Sequence, residues 1–152
     1  MQPSFEANGY MILVVDDDPM MLELICTRLS LAGYRTIQGR DGHEGLDRLR
    51  DFKPDALVLD INMPRLDGFG VLRQMKTLGH LPGMPTMVLT ARNQNTDVQE
   101  AIKLGALDFL TKPFEAQKLL SRVARLVRST PTRAMAKPSV ARDERAPSRV
   151  VW

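Results

Sequence analysis

Apolar residues fall along this chain in five short runs: "MILVV" (11–15), "YRTIQ" (34–38), "ALVL" (56–59), "TMVL" (86–89) and "LDFL" (107–110). Each is short for a helix and dense enough for a strand buried on both faces. YRTIQ is the most polar of them and is expected nearest a sheet edge. Between the runs the spacing becomes helical. Met21, Ile25 and Leu29 recur every fourth residue with Leu22 beside them; Asp18-Pro19 supplies an N-cap and an N1 proline, and Gly33 closes the helix. Leu46 and Leu49 mark a second helix, and Val71, Leu72, Met75 and Leu78 a third, followed by a connector over 82–85. A fourth, over 96–104, has Val98, Ala101 and Ile102 to bury and is predicted to be the least firmly held. Leu119, Leu120, Val123, Leu126 and Val127 make a strong fifth.

Strict strand–helix alternation, with crossovers long enough to hold a helix, predicts a parallel sheet covered on both faces. Five repeats are too few for an eight-fold barrel. The fold class is therefore α/β, an open, doubly wound, five-stranded parallel sheet. Residues 1–10 read as a polar leader, 11–128 as the folded domain, and 129–152 as a disordered basic tail, because three prolines and scattered charges there show no apolar period.

Charge and composition narrow the function. The net charge is +3, but residues 129–152 hold five basic groups against two acids, which leaves the folded part neutral. Broad attraction of nucleic acid by the domain is not expected. No apolar run approaches the roughly 20 residues needed to span a bilayer, so a cytoplasmic protein without membrane attachment is expected. Cys26, the single cysteine, sits among apolar neighbours and excludes an internal disulfide. His43 and His80 read as solvated, and the nine methionines as core filling.

The polar residues that end the runs carry the chemistry. In an open parallel sheet, ligands bind beyond the carboxyl ends of the strands. Those ends hold Asp16, Asp17 and Asp18, then Asp60, then Thr90, then Lys112-Pro113. Taken singly, Asp18 is best read as a helix cap and Asp16-Asp17 as a solvated acidic turn. Together, carboxylates without histidine or cysteine call for a hard cation such as Mg²⁺; a lysine and a hydroxyl beside them complete a phosphoryl-transfer set with an aspartyl phosphate as its covalent species.

At these residues the sequence resembles the receiver domain of bacterial two-component response regulators, over 11–128. "ILVVDDDP", "LVLDINMPRLDGF", "VLTAR" and "GALDFLTKPF" agree in order and spacing. The flavodoxin-like strand order 2-1-3-4-5 is taken from this resemblance, since a chemotaxis receiver is the standard illustration of it, and is not deduced from the runs. The resemblance implies that Asp60 is the phosphoacceptor. It assigns Mg²⁺, with Mn²⁺ as a substitute, to Asp16, Asp17, Asp60 and the backbone carbonyl of Asn62. Thr90, Ala91 and Lys112 would contact the phosphoryl group, and Phe109 would be the switch aromatic. Gly68 would permit the turn after the third strand, and the Lys112-Pro113 bond would be cis. Asn62 and Arg92 occupy positions that tune phosphate lifetime in this family.

The expected function is that of a stand-alone receiver without an output domain. It would be a signalling module, not an enzyme, that assists its own Mg²⁺-dependent phosphorylation and dephosphorylation. The expected phosphodonor is a histidine kinase or a histidine phosphotransfer protein. Output would pass to a protein target through the fourth helix, fifth strand and fifth helix; a phosphate-passing role in a relay is the alternative. An aspartyl-phosphate phosphatase of the haloacid dehalogenase type would want a second acid where Asn62 stands. Some relatives pair through charges on the fourth and fifth helices. Asp108 and Arg122 match that pattern, but Leu107 and Lys118 replace acids in it, so a monomer is expected.

Overall fold

The computed structural model describes residues 9–91 and 95–129. The bulk of the leader, the tail from 130 onward, and Arg92 lie outside the described residues. The elements run β1 (Met11–Val15), α1 (Pro19–Leu31), β2 (Arg35–Gly39), α2 (Gly42–Phe52), β3 (Ala56–Asp60), α3 (Gly68–Thr77), β4 (Thr86–Thr90), α4 (Asn95–Lys103), β5 (Asp108–Thr111) and α5 (Ala116–Val127). All neighbouring strands are parallel, in the order β2-β1-β3-β4-β5. The α/β class, the doubly wound sheet and the strand order are as expected.

Strand side chains alternate between faces, and each face has its own core. Ile12, Val14, Ala56, Val58, Met87 and Leu89 pack with α1 and α5. Leu13, Val15, Leu57, Leu59 and Val88 pack with α2, α3 and Ala101 of α4. Burial on both faces explains why β1, β3 and β4 are nearly unbroken apolar runs. β2 lies at an edge, as its polarity predicted.

Five details differ from the expectation. Leu107 precedes β5, which begins at Asp108, and is exposed. Tyr34 is not in β2: its N–H is spent on the Leu29 carbonyl at 3.1 Å, closing α1 after the left-handed Gly33, and its ring is buried in the α1 core. Leu78 is 62% exposed, because α3 ends at Thr77 and the left-handed Gly79 turns the chain away. Ile102 is exposed as well: Ala101 faces the core, and the next residue lies about 100° around the helix, so the half-buried Val98 and Leu104 share the inner face instead. Finally, Leu81-Pro82 is cis in addition to Lys112-Pro113.

Asp18 caps α1 by accepting from the Met20 N–H at 3.0 Å, with Pro19 at the first helical position. Asp18→Ala is expected to lower stability by about 1 kcal/mol, read as a shift of the urea midpoint without a change of slope. An unchanged midpoint would show that the cap contributes nothing.

Candidate functional site

The strand register sets the site. Val15 pairs with Leu59, Asp60 with Leu89, and Thr90 with Thr111, so the carboxyl ends of four strands are level within about one residue. The residues that follow are delivered to one rim. The Asp16 N–H continues the β1–β2 ladder to the Gly39 carbonyl at 3.1 Å, and the Lys112 N–H continues the β4–β5 ladder to the Thr90 carbonyl at 2.7 Å. Lys112 thus has its backbone fixed beside Thr90 while its ammonium reaches the carboxylates.

Lys112 Nζ lies 2.9 Å from Asp16 Oδ2 and 3.3 Å from Asp60 Oδ1. The Asp18 N–H donates to Asp16 Oδ1 at 3.0 Å, and the Asn62 N–H approaches Asp60 Oδ1 at 3.4 Å. Asp16 and Asp60 are buried, whereas Asp17 is exposed at the mouth. One carboxylate oxygen from each of the three lies within 4.8 Å of the others. Asp18, engaged as a cap, stands apart from this group, as its sequence context implied.

Among the described residues, three carboxylates against one ammonium leave the pocket short of positive charge. Burial pushes the Asp60 carboxyl up to about 7, the Asp16 charge adds to the rise, and Lys112 opposes it. Burial also works to lower the Lys112 pKa. The hydrogen bond to Asp16 and the charges of Asp60 and Asp16 outweigh it, so the net shift is upward and the ammonium stays charged. The donor set is oxygen alone, which fits a hard divalent cation and not a thiolate- or imidazole-seeking one.

Gly68 stands at the end of the turn after β3, where its N–H reaches the Ile61 carbonyl at 2.8 Å. It opens α3 without a left-handed backbone, and a Cβ there would lie 2.6 Å from the Asp60 carbonyl oxygen and 2.7 Å from Ile61 Cα. What is required of it is close backbone approach. The left-handed position of the β3–α3 loop is taken by Arg65, whose guanidinium lies 3.4 Å from Asp41 Oδ2.

Thr90 is buried, Ala91 follows it at the exposed rim, and Phe109 is half-buried against the α2–α4 core. The Val88–Phe109 and Thr90–Thr111 pairings put Thr90 and Phe109 on the same face of adjacent strands, one step apart. Sequence reading missed the ion-pair cluster behind them. Asp108 receives both Arg122 and Arg125, at 2.7 and 3.0 Å, within the chain. The three-residue spacing of the two arginines on one helix was the available signal.

Residues 12–124 match the response regulator receiver domain family. Response regulator MprA of Mycobacterium avium is 44% identical over 119 residues, covering 78% of this chain and 51% of that protein. The chain therefore spans about half the length of the curated relatives it matches. The Francisella response regulator 1452 receiver domain superposes with a TM-score of 0.74 at 32% identity, covering 79% of this chain and 98% of that one. Vibrio cholerae chemotaxis protein CheY4 gives 0.73 at 28% identity, covering 77% and 98%. No described helix is long and apolar enough to cross a membrane.

Proposed function

Since the chain belongs to the response regulator receiver family, we propose that Asp60 is its phosphoacceptor, taking a phosphoryl group from a phosphohistidine on a kinase or phosphotransfer protein. The observation that carries this is the Lys112 ammonium held between Asp16 and Asp60, with Asp17 in reach of both. An Asp60 oxygen attacks phosphorus; the P–O bond forms as the P–N bond breaks, and the imidazole leaves with the electron pair and takes up a proton. Lys112, already 3.3 Å from Asp60 Oδ1, is placed to follow the negative charge onto the phosphoryl oxygens. Asp16 holds that lysine in place, and the Thr90 hydroxyl and Ala91 N–H supply donors at the rim. Asp16, Asp17, Asp60 and the Asn62 carbonyl would hold Mg²⁺, or Mn²⁺ in its place, which supplies positive charge against the transferring group.

Output is read as protein binding by a surface of α4, β5 and α5. α4 is the loosest part of that surface, with Ala101 as its one buried residue among those described. Asp108 and Arg122 are engaged with each other inside the chain, which supports a monomer and not charge-linked pairing.

Intact mass after incubation with acetyl phosphate and Mg²⁺ tests the acceptor. One phosphoryl adduct is expected on the wild type, lost with chelator and absent from Asp60→Asn. An adduct that persists in Asp60→Asn would place the acceptor elsewhere.

A further inference from the structure

Among the described residues β5 is an edge strand, with β4 as its one partner in the sheet. Its outer side is held by side chains of α5. Arg122 Nη1 bonds Asp108 Oδ1 at 2.7 Å and the Phe109 carbonyl at 2.8 Å, so one guanidinium grips a carboxylate and the adjoining backbone. Arg125 bonds Asp108 Oδ2 at 3.0 Å, and Asp108 Oδ1 also accepts from the Phe109 N–H at 2.8 Å. Both polar backbone groups of Phe109 are thus tied into one clamp. Arg125 is 66% exposed, but the Arg122–Asp108 pair is partly shielded, at 24% and 15%, where charge-assisted hydrogen bonds count for more than at an open surface. A cavity of about 510 Å³ adjoins it, lined among others by Phe109, Phe114 and Arg122.

We infer that Arg122, through Asp108 and the Phe109 carbonyl, is a positioning residue that holds Phe109 in the resting conformation and so sets how readily the receiver switches. This deepens the reading of Asp60 as phosphoacceptor and Phe109 as switch, and rests on it. A residue moving toward Thr90 from an edge strand is restrained on one side by the β4 ladder and on the other by this clamp. Contacts made in the unphosphorylated state and weakened in the switched one bias the equilibrium toward rest. Because coupling is reciprocal, releasing the clamp favours phosphoryl loading from the other end.

The test combines two readouts on the full chain. The first is the rate of adduct formation with acetyl phosphate and Mg²⁺, followed by intact mass. The second is the ring resonances of Phe109 in the unphosphorylated protein. Arg122→Ala is expected to load about three- to tenfold faster than wild type and to shift the Phe109 ring toward its phosphorylated position. Asp108→Asn, which keeps an acceptor for the Phe109 N–H but removes the charge, should move both in the same direction and serves if Arg122→Ala does not fold. Arg122→Lys, which keeps the charge but puts a compact, more strongly hydrated ammonium in place of Nη1, should fall between. Loading at the wild-type rate with an unmoved Phe109 ring would overturn the clamp even though the adduct forms. Absence of an adduct from wild type would instead defeat the phosphoacceptor reading, and Phe109 ring resonances in Arg122→Ala that match those of wild type would then overturn the clamp.

Discussion

In chelator at about pH 8, Asp60→Asn is expected to melt above the wild type by roughly 5 °C. The cause is the charge imbalance of the pocket. Burial and the Asp16 charge raise Asp60 from 3.8 to about 7, so the folded protein binds this proton more tightly than the unfolded chain does. A raised carboxyl contributes its full stability below about pH 4 and loses it as the pH climbs to about 7. By linkage that span corresponds to roughly 4 kcal/mol, and water at the open mouth of the site screens it to about 2. Asparagine is neutral throughout and escapes the loss. The advantage should therefore shrink toward zero near pH 4 and diminish when Mg²⁺ is restored to the wild type. An equal difference in melting temperature at about pH 4 and about pH 8 would show that charge in the pocket is not its source.

Gly68→Ala should lower stability by roughly 2–4 kcal/mol, a fall in melting temperature of about 10 °C. Its added carbon would meet the Asp60 carbonyl oxygen at 2.6 Å and Ile61 Cα at 2.7 Å. Both are backbone atoms, and Asp60 and Ile61 are held to β4, the latter through its N–H to the Leu89 carbonyl at 3.0 Å, so neither yields cheaply. Relief has to come from shifting the start of α3 or the end of β3, and β3 carries Asp60. Phosphoryl loading should fall along with stability. Gly83→Ala is the control, since the nearest atom to its new carbon is 3.5 Å away and its backbone is not left-handed. If both variants melt alike, close packing at Gly68 is not what excludes a side chain.

Much of the fold was legible because its signals are local. The alternation of Ile12, Val14 against Leu13, Val15 marks a strand buried on both faces, and the helix starting at Pro19 announces itself through Asp18. Where local signals thin out, the reading overreached by one position. Tyr34 looks like strand but serves the end of α1, and of the neighbours Ala101 and Ile102, both expected to be buried, Ala101 is buried and Ile102 is exposed. Apolar character does not say which of two adjacent residues faces the core when a helix buries so little.

The site divides along the same line. Acids and a lysine at strand ends, and hence an oxygen-rich, phosphate-ready rim, follow from sequence order once the strands are parallel. Long-range geometry brought Lys112 to Asp16 and Asp60, partners 96 and 52 residues away in the chain. It brought Gly68 against the backbone of Asp60 and Ile61 and spent Asp108 on two arginines of its own chain. Periodicity along a chain encodes which face a residue presents. Distances between side chains from different strands depend on register and packing, and no short stretch of sequence carries those.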